Sequence, residues 1–117
     1  MDPGLGGTSG VTESADLGIL RLLASIPSEQ ARRDEDFKRI EALDGSSAGV
    51  TDLELLATYC DTGSLRKTAE RLFLHHTSVL YRVKRLERVL GFDLSSSRGR
   101  MRALLAVRLL QIDRLRL

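Results

Sequence analysis

One cysteine, two prolines and no tryptophan occur in 117 residues, and the only aromatic side chains are two tyrosines and three phenylalanines. Each shortage excludes something. A lone thiol, Cys60, rules out an intramolecular disulfide framework. Together with only two histidines, His75 and His76, it supplies too few ligands for a structural zinc site. Pro27 is the single proline beyond the leader and leaves long stretches free to be helical. Scarce aromatics with abundant leucine predict a core of aliphatic side chains carried on helices. No basic start followed by a long apolar run is present, so neither a signal peptide nor a membrane span is expected. Nothing assembles a nucleophile, a base and an oxyanion site. The reading is of a soluble, cytoplasmic, non-enzymatic chain without cofactor or metal, long enough for one small domain.

What the chain has is basic charge in one place. The formal net charge is only +2, yet residues 1–63 carry five Lys/Arg against twelve Asp/Glu, and residues 64–117 carry thirteen against four. The halves therefore differ, at −7 and +9. Concentrated positive charge gains affinity for a polyanion by releasing its counterions, which makes double-stranded DNA the expected partner. A membrane surface is the poorer candidate, because a basic helix built into a multi-helix core has its apolar face already occupied.

Taken in order, residues 1–15 are rich in Gly, Ser and Thr without an apolar period and read as a disordered leader. Residues 16–49 read as a helical lead-in. Its first part, DLGILRLLASI, is expected to be a short helix buried on more than one side and ended by Pro27. Its second part is expected to be one helix, capped by Ser28, more exposed than the first, with Phe37, Ile40 and Leu43 inward. Asp44 to Gly49 is a loop by composition. In residues 50–117, Thr51 and Glu54 have capping-box spacing at the head of a helix lined by Leu53, Leu56 and Tyr59 or Cys60, with Leu55 flanking. Gly63 stops that helix by its freedom to adopt a left-handed conformation. Phe92 and Leu94 should tuck back onto the core, and a last helix from about Gly99 to Leu115 has apolar residues on more than one face.

Between Ser64 and Gly91 lie two amphipathic helices and a tight turn without glycine. The first carries Leu65, Ala69 and Leu72, the second Val79, Val83, Leu86 and Leu90, so each has one stripe to bury. This is the pattern of a helix-turn-helix, in which the second helix presents its N-terminal turns to the major groove. Those turns hold His75, His76, Thr77 and Ser78. Along the side opposite the apolar stripe run Thr77, Tyr81, Lys84 and Arg88, flanked by Arg82 and Arg85, and the supporting helix adds Ser64, Arg66 and Lys67. All twelve are candidate DNA-binding residues. Tyr81 borders the apolar stripe, so DNA contact and simple packing stand level for it. The bland reading of Lys84, Arg85 and Arg88 is a solvated helix face.

The run TAERLFLHHTSVLYRVKRLERVLGFDL resembles the C-terminal helix-turn-helix domain of the PucR/CdaR family of bacterial transcription regulators. Thr68, Ala69, Leu72, Phe73, His75, Ser78, Val79, Tyr81, Arg82, Arg85, Glu87, Leu90, Gly91 and Leu94 fall on that pattern. RALLAVRLL resembles the family's closing helix, and DLGILRLLASIP the segment leaving its preceding regulatory domain. The resemblance implies an all-α, small multi-helix domain that reads DNA for transcription regulation, as a homodimer or larger oligomer, with no small-molecule effector expected within this chain. Many members have Pro-Asn at His76-Thr77 and Arg at Leu80, so the resemblance implies no particular target sequence. The rival from another class is a helical protein-interaction or dimerisation module.

Overall fold

The computed structural model describes residues 18–43 and 49–116, and among these are seven helices and no strand. They are α1 (18–24), α2 (Ser28–Ala31), α3 (Glu35–Ala42), α4 (Asp52–Thr62), α5 (Leu65–Leu72), α6 (His76–Leu90) and α7 (Ser97–Leu115). The expected leader, 1–15, lies outside the described residues. None of the helices is long and apolar enough to cross a membrane.

Local sequence sets most boundaries. Thr51 Oγ1 accepts from Glu54 N–H at 3.1 Å, and Glu54 Oε1 accepts from Thr51 N–H at 3.0 Å, which completes the capping box of α4. Gly63 and Gly91 end α4 and α6 in the left-handed conformation, as expected. Ser96 caps α7 through Gly99 N–H.

The lead-in differs from expectation. Asp34 interrupts the anticipated single helix by accepting from Phe37 N–H at 3.0 Å, so α3 starts afresh, while Pro27 occupies the N-cap of α2 and Ser28 does not cap it. A spacing of three between Phe37, Ile40 and Leu43 fits a short helix as well as a long one, and the Asp cap decides it. The expected order of burial is also reversed. Phe37 and Ile40 of α3 are fully buried, whereas Ile19 and Leu22 of α1 are exposed.

α7 packs across α3 and α4, and the α5–α6 pair packs against α4. The core joins Phe37, Ile40, Leu55, Leu56, Val79, Val83, Leu86, Leu90, Leu94, Val107 and Leu110. In α4 it is Leu55, anticipated as flanking, that is fully buried beside Leu56, while Leu53 is half-buried. Leu94 is fully buried, and Phe92 packs beneath the Arg102 guanidinium with 4.1 Å between that group and the ring centre. Long-range ion pairs join lead-in to α7: Arg32 donates to Asp113 at 2.9 Å and Arg102 to Asp36 at 2.6 Å. Arg116 donates to Ser28 Oγ at 2.7 Å and to the Ala24 carbonyl.

Among the described glycines, the one with least room for a side chain is Gly99, in the first turn of α7. A Cβ there would stand 1.7 Å from the Asp93 carbonyl oxygen. Gly99→Ala must push two backbone segments apart and is expected to lower stability by about 3 kcal/mol. Ser96→Ala, which removes only the cap, should cost about 1 kcal/mol. Denaturant melts of the two variants check this order.

Candidate nucleic-acid interface

The supporting helix starts where Ser64 Oγ accepts from Lys67 N–H at 3.1 Å. Behind it, the Thr62 and Thr68 hydroxyls lie 2.8 Å apart, which satisfies the fully buried Thr68. Ala69 is buried on α5, which packs against both α4 and α6, and a larger side chain there would overpack the joint. α5 ends at Phe73, with Leu74 N–H returning to the Ala69 carbonyl at 2.9 Å. Leu72 and Leu74 pack against the core on either side of Phe73.

α6 then begins without help. Asp34, Thr51, Ser64 and Ser96 each cap a helix with a side-chain oxygen, but His75, at the N-cap of α6, makes no such bond. The His75 side chain thus leaves the start of α6 uncapped. The first-turn N–H groups of α6 point out of the helix end, where the backbone dipoles favour a negative ligand.

Around α6, Val79, Val83, Leu86 and Leu90 are buried, as the apolar period predicts. His75, His76, Thr77, Ser78, Lys84 and Arg88 are exposed, and Tyr81 is 66% exposed, which takes it out of the packing stripe. Ser64, Arg66 and Lys67 lie at the start of α5, Arg66 pairing with Glu70 at 2.9 Å. Arg82 and Arg85 are held elsewhere. Arg82 donates to Asp52 Oδ1 at 2.9 Å and to the Val50 carbonyl at 2.8 Å. Arg85 donates to both Asp52 oxygens, at 2.8 and 2.9 Å. The side chains of Arg82 and Arg85 are 23% and 39% exposed, and that of Asp52 17%. These two arginines brace α6 against the head of α4.

Residues 52–109 match the model of the PucR C-terminal helix-turn-helix domain. This segment belongs to that family. No curated protein and no solved structure matches the chain.

Within the PucR-type domain, Asp52 is the residue that local sequence reading passed over. The capping box accounts for its neighbours Thr51 and Glu54, and nothing in that spacing announces a partner 30 residues away. Its signal was an acidic residue opposite a run rich in arginine. Glu87 was matched to the family without a role; its carboxylate accepts from Leu94 N–H at 2.8 Å and fixes the chain as it leaves α6. Cys60 is partly buried, and that burial pushes its thiol up to about 12, leaving it protonated and unreactive.

Burial alone would raise the Asp52 carboxyl, but hydrogen bonds from Arg82 and Arg85 outweigh it and hold the group below the ordinary carboxylate range. A depressed folded-state pKa contributes stability that is fully present above the unfolded value of about 3.9 and is lost as pH falls through the lower folded value. Asp52→Asn is therefore expected to cost about 1–3 kcal/mol near neutral pH. The gap to the parent protein should shrink below about pH 4. Urea melts at pH 7 and pH 3 measure it, and a gap independent of pH would place the effect outside this clamp.

Proposed function

We propose that the domain is the sequence-specific DNA-binding part of a cytoplasmic transcription regulator, with residues 50–117 as the binding unit and α6 as its major-groove reader. The observation that carries this reading is the uncapped start of α6, where His76, Thr77 and Ser78 stand exposed ahead of Tyr81, Lys84 and Arg88 on one open face. Free N–H groups and short polar side chains suit base edges and phosphates at the helix tip, and the later basic residues suit the backbone. Ser64, Arg66, Lys67 and His75 extend the same contact to the neighbouring phosphates. Arg82 and Arg85 act mainly by holding α6 in its orientation, since their guanidinium groups are already committed to Asp52.

A second reading has its own support. Met101, Leu105 and Leu115 of α7 are exposed, and Leu104, Leu109 and Ile112 are half-buried instead of enclosed. We take a second copy of the chain as the occupant of that face, because paired domains read paired half-sites. Leu105→Glu should then convert a dimer into a monomer in sedimentation equilibrium, and a parent protein that is monomeric at every concentration removes the dimer.

For DNA binding, gel-shift titration of the parent protein at two salt concentrations should give affinity that falls with salt. Lys84→Ala should weaken binding on all sequences and reduce the logarithmic salt slope by about one. Thr77→Ala should change which base is preferred at one position of sites selected from a random pool. Binding indifferent to salt and to both substitutions contradicts the proposal.

A further inference from the structure

Phe73 is the one non-glycine residue with positive φ among the described residues, at φ 57° and ψ 45°. It occupies the left-handed position that closes α5, the position filled by Gly63 after α4 and by Gly91 after α6. Glycine adopts this conformation without steric penalty, whereas a side chain with a Cβ does not, and for a bulky one it is an outlier. The ring gains nothing from packing in return, for Phe73 is 94% exposed. Its neighbours Leu72 and Leu74 both turn into the core, so the turn is anchored on each side and presents the ring outward from a fixed base. The left-handed backbone serves to close α5, but nothing in folding asks for an exposed aromatic side chain on it, and strained residues gather where a ligand is met.

Its position says which ligand. Phe73 is three residues before His76, the first residue of α6, and three residues of chain span at most about 10 Å. The backbone that carries the ring therefore lies within about 10 Å of the uncapped helix start. We propose that Phe73 is a further DNA-contacting residue, whose ring packs on the deoxyribose edge and thymine methyls flanking the bases met by α6. The assignment rests on the DNA-binding reading above. Apolar contact of this kind is how an aromatic side chain engages duplex DNA without donating or accepting a hydrogen bond.

The test is fluorescence anisotropy of the full chain on a duplex selected by the parent protein, with melting curves for every variant. Phe73→Gly and Phe73→Asn both suit a left-handed residue, so each should melt at or above the parent temperature. Both should bind roughly tenfold more weakly, with the salt slope unchanged because no charge is removed. Phe73→Tyr keeps the ring and should retain parent affinity. Parent-like binding by the Gly and Asn variants overturns the assignment while leaving the DNA-binding reading intact. Equal weakening by all three variants also overturns it, since the turn and not the ring would then be responsible. A parent protein that selects no duplex overturns the DNA-binding reading itself, and this inference with it.

Discussion

A single carboxylate, that of Asp52, sets how α6 sits on the rest of the molecule. It projects from the first turn of α4 and receives Arg82 and Arg85 from the middle of α6, while Arg82 also reaches the Val50 carbonyl. Apolar contact alone would tolerate rotation of α6 about its axis, because Val79, Val83, Leu86 and Leu90 form a smooth aliphatic stripe. Two guanidinium groups on one carboxylate remove that freedom, since charge-assisted bonds depend on direction as well as distance. Partial burial matters here. Exposed ion pairs contribute little, but this one is shielded enough for its geometry to be enforced and open enough to avoid the full cost of desolvation.

The charge asymmetry takes on a second meaning in this light. The acidic first half supplies Asp36, Asp52 and Asp61, and the basic second half answers with Arg102, the Arg82–Arg85 pair and Arg71. Much of the basic charge is thus structural, joining the lead-in and α4 to α5, α6 and α7. What remains open on α6, Lys84 and Arg88, is a smaller set than the +9 of that half implies. The cations left for the proposed polyanion contact are therefore fewer than the charge balance suggests, and on α6 they are Lys84 and Arg88.

Local rules made the centre of the fold legible and failed where distant partners decide. The bounds of α5 and α6, the capping box at Thr51, and the stops at Gly63 and Gly91 all depend on residues within one or two turns, which a sequence displays directly. The lead-in was misread because an apolar spacing of three cannot distinguish one long helix from two short ones. The exposure of Ile19 and Leu22 was missed for a related reason: periodicity reports which residues can be buried together, not whether another element arrives to cover them. Arg82 and Arg85 read as DNA-binding candidates because they flank the basic stripe, and the carboxylate that both of them hold lies 30 and 33 residues upstream, beyond the reach of any local pattern. Tyr81 was undecided by sequence, and its exposure on the open side settled only the packing half of that question.

The positions shared with the PucR pattern can be sorted by what they touch. Thr68, Ala69, Val79, Leu90 and Leu94 are buried, Arg82 and Arg85 are clamped, Glu87 holds the following loop, and Gly91 closes the helix. These residues build and orient the scaffold, so a match to them speaks for the architecture and says little about the bases read. The departures, His76, Thr77 and Leu80, are all on the exposed side of α6, where a substitution leaves the core untouched. Phe73 belongs to neither group. It lies on the shared pattern and yet contributes nothing to the core, in a backbone conformation that glycine would adopt more easily. An exposed aromatic in a conformation that costs its backbone energy is the feature of this turn that scaffold-building does not explain, and a DNA contact there, as proposed, would extend the contact surface past α6 to the turn that precedes it.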